Sequence, residues 1–516
     1  TNLKFQQGGI RGNKRFYNTF IIVALLILLV AIINYVNLVT ARATERAKEV
    51  GIKKTIGARR SGLVTQFQIE SLLLTFTAGI IAFGISELLL SYLNRLLAHP
   101  VDNFLRVSPA FFLAYLGLLL SISVLSGLYP SFILSSFKPI SAIKNSDMKF
   151  GGRAWLRNSL TTFQFIVTTV LIFGSIVIAK QIKYLTEFNL GFDTDQILSI
   201  DASEEMQLGF RGLKPKLLSL SGVEYVSVGN LPGIGWMYSR DFEGETINVA
   251  IQHVDEDFLS MAGIALVEGR PLIDTDESTT NILVNQTMRD LLFGEQETAF
   301  GKLPDSEANL VGVVADFEFS TASSAIMPLE LKVHDNKFRN ILIRMGQGAN
   351  ALATVKGIEG AIKDAFPDEV CSYRFLDEEY DQQYKSEYLF LDLIRSISII
   401  CISIGCIGLF GLAHYSFTTG LKVIGIKKIL GAGDSTIVKG LVIELIVPIF
   451  IALLIGLPIG LYLAQDWLSD YANRINLGLI NFLLTAGVIL LVALVSVMYQ
   501  VVSAVNLKPV TALQDD

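Results

Sequence analysis

The sequence predicts an α-helical membrane protein with seven spans and one α+β domain outside the membrane. Of its 516 residues, 51% are hydrophobic and only 17% are charged, whereas a soluble protein carries about 25% charged residues. The apolar residues are concentrated in runs of about 20 or more, which is the length that crosses a ~30 Å hydrocarbon core. A polar stretch of roughly 200 residues separates the fourth run from the fifth and predicts the domain.

Each predicted span is an apolar run with few charges. In chain order they are residues 20–39, 63–90, 109–134, 160–179, 389–412, 437–463 and 477–502. Asn34 and Asn37 lie within the first span, where we expect their side chains to bridge neighbouring helices. Pro448 and Pro458 predict kinks in the sixth span.

Basic side chains are concentrated in two short loops, which sets the predicted orientation. Residues 41–60 hold seven lysines and arginines and residues 137–158 hold five. Because basic loops stay in the cytoplasm, both loops and the C-terminus are predicted to be cytoplasmic, and residues 181–386 are exported. Three basic residues beside the first span count against this orientation: Arg11, Lys14 and Arg15.

A ten-residue segment occurs twice, 374 residues apart. Residues 49–58 read Glu-Val-Gly-Ile-Lys-Lys-Thr-Ile-Gly-Ala, and residues 423–432 read Val-Ile-Gly-Ile-Lys-Lys-Ile-Leu-Gly-Ala. A second pair of matching segments, 138–143 and 508–513, closes each half. This duplication predicts two structurally equivalent halves.

The first copy of the repeat predicts a short amphipathic helix at the membrane surface. Glu49 precedes Lys53 by four residues, which is the favourable order for an ion pair on a helix. Gly51 and Gly57 predict interruptions of the helix, because glycine favours bends and close backbone approach. A bent cationic helix fits the docking of a soluble protein, and anionic lipid headgroups are the alternative partner.

The polar stretch predicts a mixture of strands and helices. The predicted strands are residues 196–200, 224–229, 247–254, 281–285, 309–314 and 340–345. The predicted helices are residues 210–220, 286–293 and 350–365, the last with Asn350 as its N-cap. Residues 376–395 predict a helix that continues into the fifth span, so that it could carry motion between the domain and the membrane.

Signals for an enzyme are weak. Residues 294–302 lack the spacing of a phosphate-binding loop, and Leu303 stands where Ser or Thr would bind magnesium. The four histidines are scattered, and the acidic residues 255–257 fit a helix start better than a metal site. We therefore expect no catalytic residue, no metal and no cofactor, and no nucleic-acid partner. Glu70 and Glu444 stand out as repeated acids at the membrane edge, where a functional role is favoured.

The repeat and its surroundings resemble the FtsX/MacB-like permeases of bacterial ABC transporters. In the two halves the matching segments are residues 37–70, 408–412 and 425–432, together with Glu444. In the polar stretch they are residues 284–287, 300–302 and 311–317. The resemblance extends over essentially the whole chain.

The resemblance implies a unit of four helices, with an extracytoplasmic α+β domain of the MacB periplasmic type after the first helix. Residues 1–145 would be the last three helices of a first unit, whose beginning would lie before Thr1. Residues 146–183 would be a cytoplasmic linker and the first helix of a second unit. Residues 184–385 would be its extracytoplasmic domain, and residues 386–516 its three-helix FtsX-like part.

The resemblance also implies a non-catalytic subunit of the bacterial cytoplasmic membrane that works with a cytoplasmic ABC ATPase. The ATPase-coupling residues would be Lys48, Glu49, Gly51, Lys53, Lys54, Gly57, Ala58 and Glu70 in the first half, and Lys422, Gly425, Lys427, Lys428, Gly431, Ala432 and Glu444 in the second. ATP hydrolysis would move the extracytoplasmic domain to export or extract a substrate. Membrane lipid and an extracytoplasmic protein are further expected partners.

A sensor or scaffold that signals to an extracytoplasmic hydrolase without transport is the alternative function. Two differences between the halves bear on either function. Val423 replaces Glu49, and Gly433 replaces Arg59. These replacements predict that the second half couples to the ATPase more weakly than the first.

Overall fold

The structure is a computed structural model that describes residues 14–41, 43–96, 108–135 and 151–506, apart from short gaps at 232, 234–235, 243–244, 277–280, 295, 304–307, 321–322 and 334–335. The chain separates into two compact units. The helical unit comprises Thr1–Val177, Leu393–Ala464 and Leu477–Asp516, and the sheet unit comprises Ile178–Asp392 and Gln465–Asn476.

Helices of very different length occur in the two units. In chain order they are α1 (Lys14–Ala41), α2 (Ala43–Thr55), α3 (Arg60–Leu96), α4 (Pro109–Ser135), α5 (Gly151–Thr186), α6 (Glu204–Leu218), α7 (Phe258–Ala262), α8 (Gln286–Phe293), α9 (Ala351–Ala365), α10 (Leu376–Gln383), α11 (Lys385–Ile429), α12 (Asp434–Leu468) and α13 (Leu479–Val505). Among the described residues, seven helices are long and apolar enough to cross a membrane, namely α1, α3, α4, α5, α11, α12 and α13. The predicted polytopic fold class is therefore confirmed.

Helix α5 lies inside the helical unit up to Val177. Phe165 of α5 packs in one cluster with Leu409 of α11, Ile449 of α12 and Ile489 of α13. More than half of the α5 span is buried, whereas only 6% of the α3 span is buried. An apolar helix with so much exposed surface is suited to face lipid.

The two asparagines of α1 lie against neighbouring helices, as predicted. The Asn37 Nδ2 donates to Thr161 Oγ1 of α5 at 3.5 Å. The Asn34 side chain is buried beside Gly408 of α11, where any larger residue would meet it. Helix α12 continues through both Pro448 and Pro458.

Two sheets form the sheet unit. The strands are β1 (Ile197–Asp201), β2 (Val223–Gly229), β3 (Trp236–Phe242), β4 (Glu245–Val254), β5 (Leu266–Gly269), β6 (Asn281–Asn285), β7 (Gly301–Lys302), β8 (Asn309–Val314), β9 (Leu329–Val333), β10 (Asn340–Met345) and β11 (Tyr373–Phe375). The first sheet is antiparallel, with the order β11-β1-β10-β2. The second is mixed, with the order β3-β4-β9-β6-β8-β5 and β7 paired to β8.

Each sheet buries an apolar face. Leu213 of α6 and Ile358 of α9 pack in one cluster with Val226 and Ile343 of the four-stranded sheet. Helix α9 begins as predicted, because the Asn350 side chain accepts a hydrogen bond from the Ala353 amide. The α+β character of this unit follows from the helix-covered antiparallel sheet and the second, mixed sheet.

One local prediction in the sheet unit needs correction. The helix predicted over residues 376–395 is two helices, α10 and α11, which are separated at Tyr384. Tyr384 is buried against Leu185, so its ring packs in the core at the point where the backbone turns. The Gly301–Lys302 pair is strand β7, which pairs with Asn309 and Leu310 of β8.

Candidate functional site

The first copy of the repeat ends helix α2 in a glycine turn, called here the Gly57 turn (residues 49–60). Gly57 has φ +99°, in the left-handed region. Its amide donates to Lys54 O at 3.1 Å, and the Ala58 amide donates to Lys53 O at 2.9 Å. This pair of bonds is the Schellman arrangement that satisfies the last carbonyls of a helix.

The second copy, called here the Gly431 turn (residues 423–434), repeats this geometry. Gly431 has φ +85°. Its amide donates to Lys428 O at 3.1 Å, and the Ala432 amide donates to Lys427 O at 2.9 Å. A Cβ atom on Gly57 or Gly431 would meet nothing within 4 Å. Glycine is therefore needed for the backbone conformation and not for close approach.

The other repeated glycine does not interrupt the helix, contrary to the prediction. Gly51 lies inside α2 and Gly425 inside α11, and both are buried. A glycine inside a helix costs about 1 kcal/mol relative to alanine but does not by itself end the helix. The helix end is set by Gly57 and Gly431, where the backbone enters the left-handed region.

Both turns present apolar side chains that sequence reasoning missed. Ile56 is 81% exposed and Leu430, at the equivalent position, is 80% exposed. One helical turn earlier, Ile52 and Ile426 are also exposed. We call Ile52 with Ile56, and Ile426 with Leu430, the apolar tips. Their signal was present in the repeat, where both positions are aliphatic in both copies.

A chain of polar side chains holds the Gly57 turn to α3. Lys53 Nζ lies 2.7 Å from Glu49 Oε1, which confirms the predicted ion pair. The same Nζ donates to Gln66 Oε1 at 3.1 Å, and Gln66 Nε2 donates to Glu70 Oε1 at 3.3 Å. The chain therefore links the helix before the turn with the helix after it.

The Gly431 turn is held differently. Val423 and Gly440 occupy the positions of Glu49 and Gln66, so neither can contribute to such a chain. Lys428 Nζ instead donates to Val505 O at 2.5 Å. Val505 ends α13, where the unpaired carbonyls and the helix dipole favour a cation.

The remaining predicted site residues are only partly described. Lys54 and Ala432 are half-buried, and Ala58 and Lys427 are exposed. The backbones of Lys48, Lys422 and Glu444 lie in α2, α11 and α12, but their side chains lie outside the described residues. An open groove runs beside the Gly57 turn and is lined by Ser61, Gly62, Thr65, Gln66, Ile69 and Glu70.

The acidic residues 255–257 of the sheet unit form ion pairs with one lysine, Lys214. Lys214 Nζ lies 2.8 Å from Asp255, 3.2 Å from Glu256 and 2.7 Å from Asp257. Burial works against the charged form of Lys214, but the three carboxylates outweigh it and raise its pKa. Asp257 stands at the start of α7, as the sequence predicts. A lysine held in the charged form is a poor general base.

Metal ligands are not grouped in the described part of the chain. No three His, Cys, Asp or Glu residues lie there in positions that could hold an ion. The features that the halves share are thus the two glycine turns and their apolar tips. Together with the seven apolar helices and the sheet unit, they define a multi-pass membrane protein with a duplicated glycine turn.

Comparison with known families agrees with this class. The family model described as "FtsX-like permease C-terminal" matches residues 21–139 and 395–509. Each matched range contains one glycine turn. The resemblance to FtsX/MacB-like permeases that the sequence indicates is therefore confirmed in both of these ranges.

Several curated proteins resemble parts of the chain. The macrolide export ATP-binding/permease protein MacB of Hahella chejuensis is 26% identical over 225 residues, which is 40% of this chain and 34% of that protein. MacB of Neisseria gonorrhoeae is 31% identical over 122 residues, or 23% and 18% of the two chains. The uncharacterized ABC transporter permease YknZ of Bacillus subtilis is 45% identical over 58 residues, or 11% and 15%. The chain spans about a third or less of the length of these relatives.

Solved structures similar to part of the chain come from the same group. The periplasmic region of MacB from Actinobacillus actinomycetemcomitans has 13% sequence identity and a TM-score of 0.28, and the match covers 38% of this chain and 96% of that one. The extracellular domain of YknZ from Gram-positive bacteria has 15% identity and a TM-score of 0.26, with 34% and 97% covered.

Proposed function

We propose that the chain is the membrane subunit of an ABC transporter in the bacterial cytoplasmic membrane. In this proposal, a separate cytoplasmic ATPase hydrolyses ATP, and the chain couples that hydrolysis to movement of an extracytoplasmic sheet unit that exports or extracts a substrate. The chain itself carries no catalytic residue. The observation that supports this most strongly is the duplicated glycine turn with its exposed apolar tip.

The apolar tips have the properties of docking anchors. Ile56 and Leu430 are about four-fifths exposed at the ends of helices, and burying such a side chain contributes about 1.5–3 kcal/mol. The left-handed glycine fixes the chain direction directly after each tip, so that little conformational entropy is lost on binding. Lysines around the tips favour an acidic rim on the partner.

Membrane lipid is the alternative binding partner of the same tips. Aliphatic side chains flanked by lysines also fit an anionic bilayer surface. A bilayer surface does not require one fixed backbone geometry, whereas the two turns have the same capping bonds and closely similar φ angles. The repeated rigid geometry therefore favours a protein partner with a shaped pocket.

The test replaces both tips in the full chain, with Ile56→Asp and Leu430→Asp together. Binding and stimulation of the ATPase that co-purifies from native membranes should fall at least about 30-fold, because each tip is expected to act as a binding hot spot. Leu208→Asp and Leu352→Asp are the matched controls, since these leucines are 67% and 69% exposed in the sheet unit. Unchanged stimulation with weaker binding to anionic vesicles would assign the tips to lipid and contradict the proposal.

The sensor or scaffold function remains the second candidate because of one feature of the sheet unit. A polar groove of about 840 Å³ is lined by residues that include Asp193, Asp195, Glu224 and Arg344. Such a groove could hold an extracytoplasmic partner protein. ATPase stimulation by an added outer protein, without movement of any substrate, would favour this candidate over transport.

A further inference from the structure

The loop between α12 and α13 is packed within the sheet unit. Residues 465–476 belong to the same compact unit as residues 178–392. The Ala472 amide donates to Ser323 O at 3.0 Å. Tyr471 packs in a cluster with Leu185 and Tyr384, and its ring lies 4.8 Å from that of Trp467. The loop is therefore anchored by both backbone and aromatic contacts.

Gln181, close to the end of α5, holds this loop at two points. Its Nε2 donates to Asn473 O at 2.8 Å, and its Oε1 accepts from the Ile475 amide at 3.0 Å. The Gln181 side chain is completely buried. A buried amide whose donor and acceptor are both satisfied by one segment makes a specific attachment, because loss of that segment would leave both groups unpaired.

Glu318 extends the attachment into the sheet unit. Asn473 Nδ2 donates to Glu318 Oε1 at 3.3 Å. The Glu318 backbone is fixed in turn, since its amide donates to Leu190 O at 2.8 Å and its carbonyl accepts from the Tyr380 hydroxyl at 3.2 Å. The loop is thus bonded both to the end of α5 and to the segment that follows β8.

We propose that residues 469–478 form a latch that carries movement of α12 and α13 to the sheet unit. Helices α5 and α11 are joined to that unit by the chain itself, so the latch adds a non-covalent link from the other two helices of the second half. Helix α12 has 35 residues and runs from the Gly431 turn to the latch, a length of about 50 Å. A displacement at the turn would therefore reach the sheet unit along one helix. This inference rests on the proposed function, because it concerns how the movement is passed on.

The experiment measures movement of the sheet unit in the full chain, bound to its ATPase in lipid nanodiscs. Spin labels are attached to Leu352→Cys in the sheet unit and to Leu88→Cys in α3, both of which are exposed. The three native cysteines, Cys371, Cys401 and Cys406, are replaced by alanine. The distance distribution is recorded with and without ATP and vanadate.

Gln181→Met opens the latch, because it keeps the side-chain volume and removes both hydrogen bonds. The matched control is Gln500→Met, since Gln500 is almost as deeply buried but bonds Phe410 O within the helical unit. We expect Gln181→Met to reduce the ATP-dependent distance change at least twofold and to speed amide exchange at Ala472 and Ile475 by about tenfold. The control should change neither quantity. Asn473→Ala provides a milder second variant that loses the bond to Glu318.

The outcomes separate the latch from the proposed function. A full ATP-dependent change in both Gln181→Met and Asn473→Ala, with amide exchange accelerated, would overturn the latch and leave the proposed function standing. Unaccelerated exchange in Gln181→Met would also overturn the latch. Absence of any ATP-dependent change in the unsubstituted chain would overturn the proposed function, and the latch with it.

Discussion

The Gly57 and Gly431 turns have the same backbone conformation and each has an apolar tip, but different side-chain contacts hold them in place. Lys53 lies within a polar chain that links Glu49 to Gln66 and Glu70. In the other half, Lys428 binds the last carbonyl of α13. The part that would meet a partner is thus the same in both halves, whereas the bracing behind it differs. The same turn geometry is therefore braced by different contacts in the two halves.

The helices behind the two turns show a related difference. Helices α3 and α4 are joined by hydrogen bonds, with Gln68 Nε2 and Ser71 Oγ both donating to Ser123 O, at 3.0 and 3.2 Å. Helices α12 and α13 instead pack through apolar residues such as Ile449 and Ala493 around α5. The second half has an apolar core in which α5 packs against α11, α12 and α13. The chain of this half continues into the sheet unit through α5 and α11.

The largest expected effect concerns the Glu318 carboxyl, which accepts a hydrogen bond from Asn473 of the latch. Burial raises the pKa of Glu318 to about 7, with Asp316 adding to the rise and the hydrogen bond from Asn473 opposing it. The folded state therefore favours the protonated carboxyl. The contribution of this carboxyl to the free energy of unfolding is fully present below its pKa in the unfolded state, which is about 4.3. It is lost as the pH rises toward 7, by up to about 3 kcal/mol.

Glu318→Gln should remove this loss, since the amide is neutral at every pH. In thermal unfolding of the full chain, the stability of the variant relative to the unsubstituted protein should therefore increase between pH 4.5 and pH 7. The Tyr380 hydroxyl, which bonds the Glu318 carbonyl, stays neutral in this range because burial raises its pKa. A difference that does not change with pH would show that the carboxyl does not titrate there.

Substitution of the turn glycines should affect both halves equally. Gly57→Val and Gly431→Val each force a β-branched residue into the left-handed region, at a cost of about 2 kcal/mol. Gly57→Asn and Gly431→Asn should cost much less, because asparagine tolerates this conformation. Thermal unfolding and ATPase stimulation provide the measurement. A loss confined to one half would contradict the shared geometry of the turns.

Substitutions at Gln66 and at the equivalent Gly440 should change the stability of the protein in opposite directions. Gln66→Leu removes two hydrogen bonds of the polar chain and should destabilise the protein by about 1 kcal/mol. Gly440→Ala, at the equivalent position, should stabilise it by about 0.5–1 kcal/mol, because Gly440 is exposed inside α12 with open space around it. Denaturation midpoints of the two variants should shift in opposite directions, and a shift in the same direction would count against unequal bracing.

The smallest expected effect concerns the α3–α4 contact. Ser71→Ala removes its bonds to Ser123 O and Ser126 Oγ, which should cost about 0.6 kcal/mol, as is typical within membranes. Ser121→Ala is the matched control, because Ser121 is exposed and bonds only Gly117 O of its own helix. Equal shifts in unfolding temperature for the two variants would mean that the interhelical bonds contribute nothing.

Much of the fold could be predicted because its signals are local. The strand at Asn281–Asn285 and the helix at Gln286–Phe293 were predicted to the residue, since an apolar run meets a capping asparagine there. Strands β3, β5, β7, β9 and β11 were not predicted. Of these, β7 and β11 have only two and three residues, too few for a recognisable period. The hydrogen bonds that make them strands come from partners elsewhere in the chain.

In the candidate site, too, features with a local sequence signal were predicted, whereas features that depend on tertiary packing were not. The Glu49–Lys53 pair followed from helical spacing, and the equivalence of the two turns followed from the repeat. The repeat shows that both positions are aliphatic, but the exposure of Ile56 and Leu430 depends on how the helices pack. The contacts of Gln181 with residues about 290 positions away were likewise out of reach.

The most direct test of unequal coupling compares Lys53→Glu with Lys427→Glu, in the full chain with its ATPase. Lys53 precedes Gly57 and Lys427 precedes Gly431 by four residues, but only Lys53 lies in the polar chain. ATPase binding should be affected similarly by the two substitutions, whereas stimulation should fall about fivefold further for Lys53→Glu, because the brace between α2 and α3 is lost. Equal losses of stimulation would contradict the account.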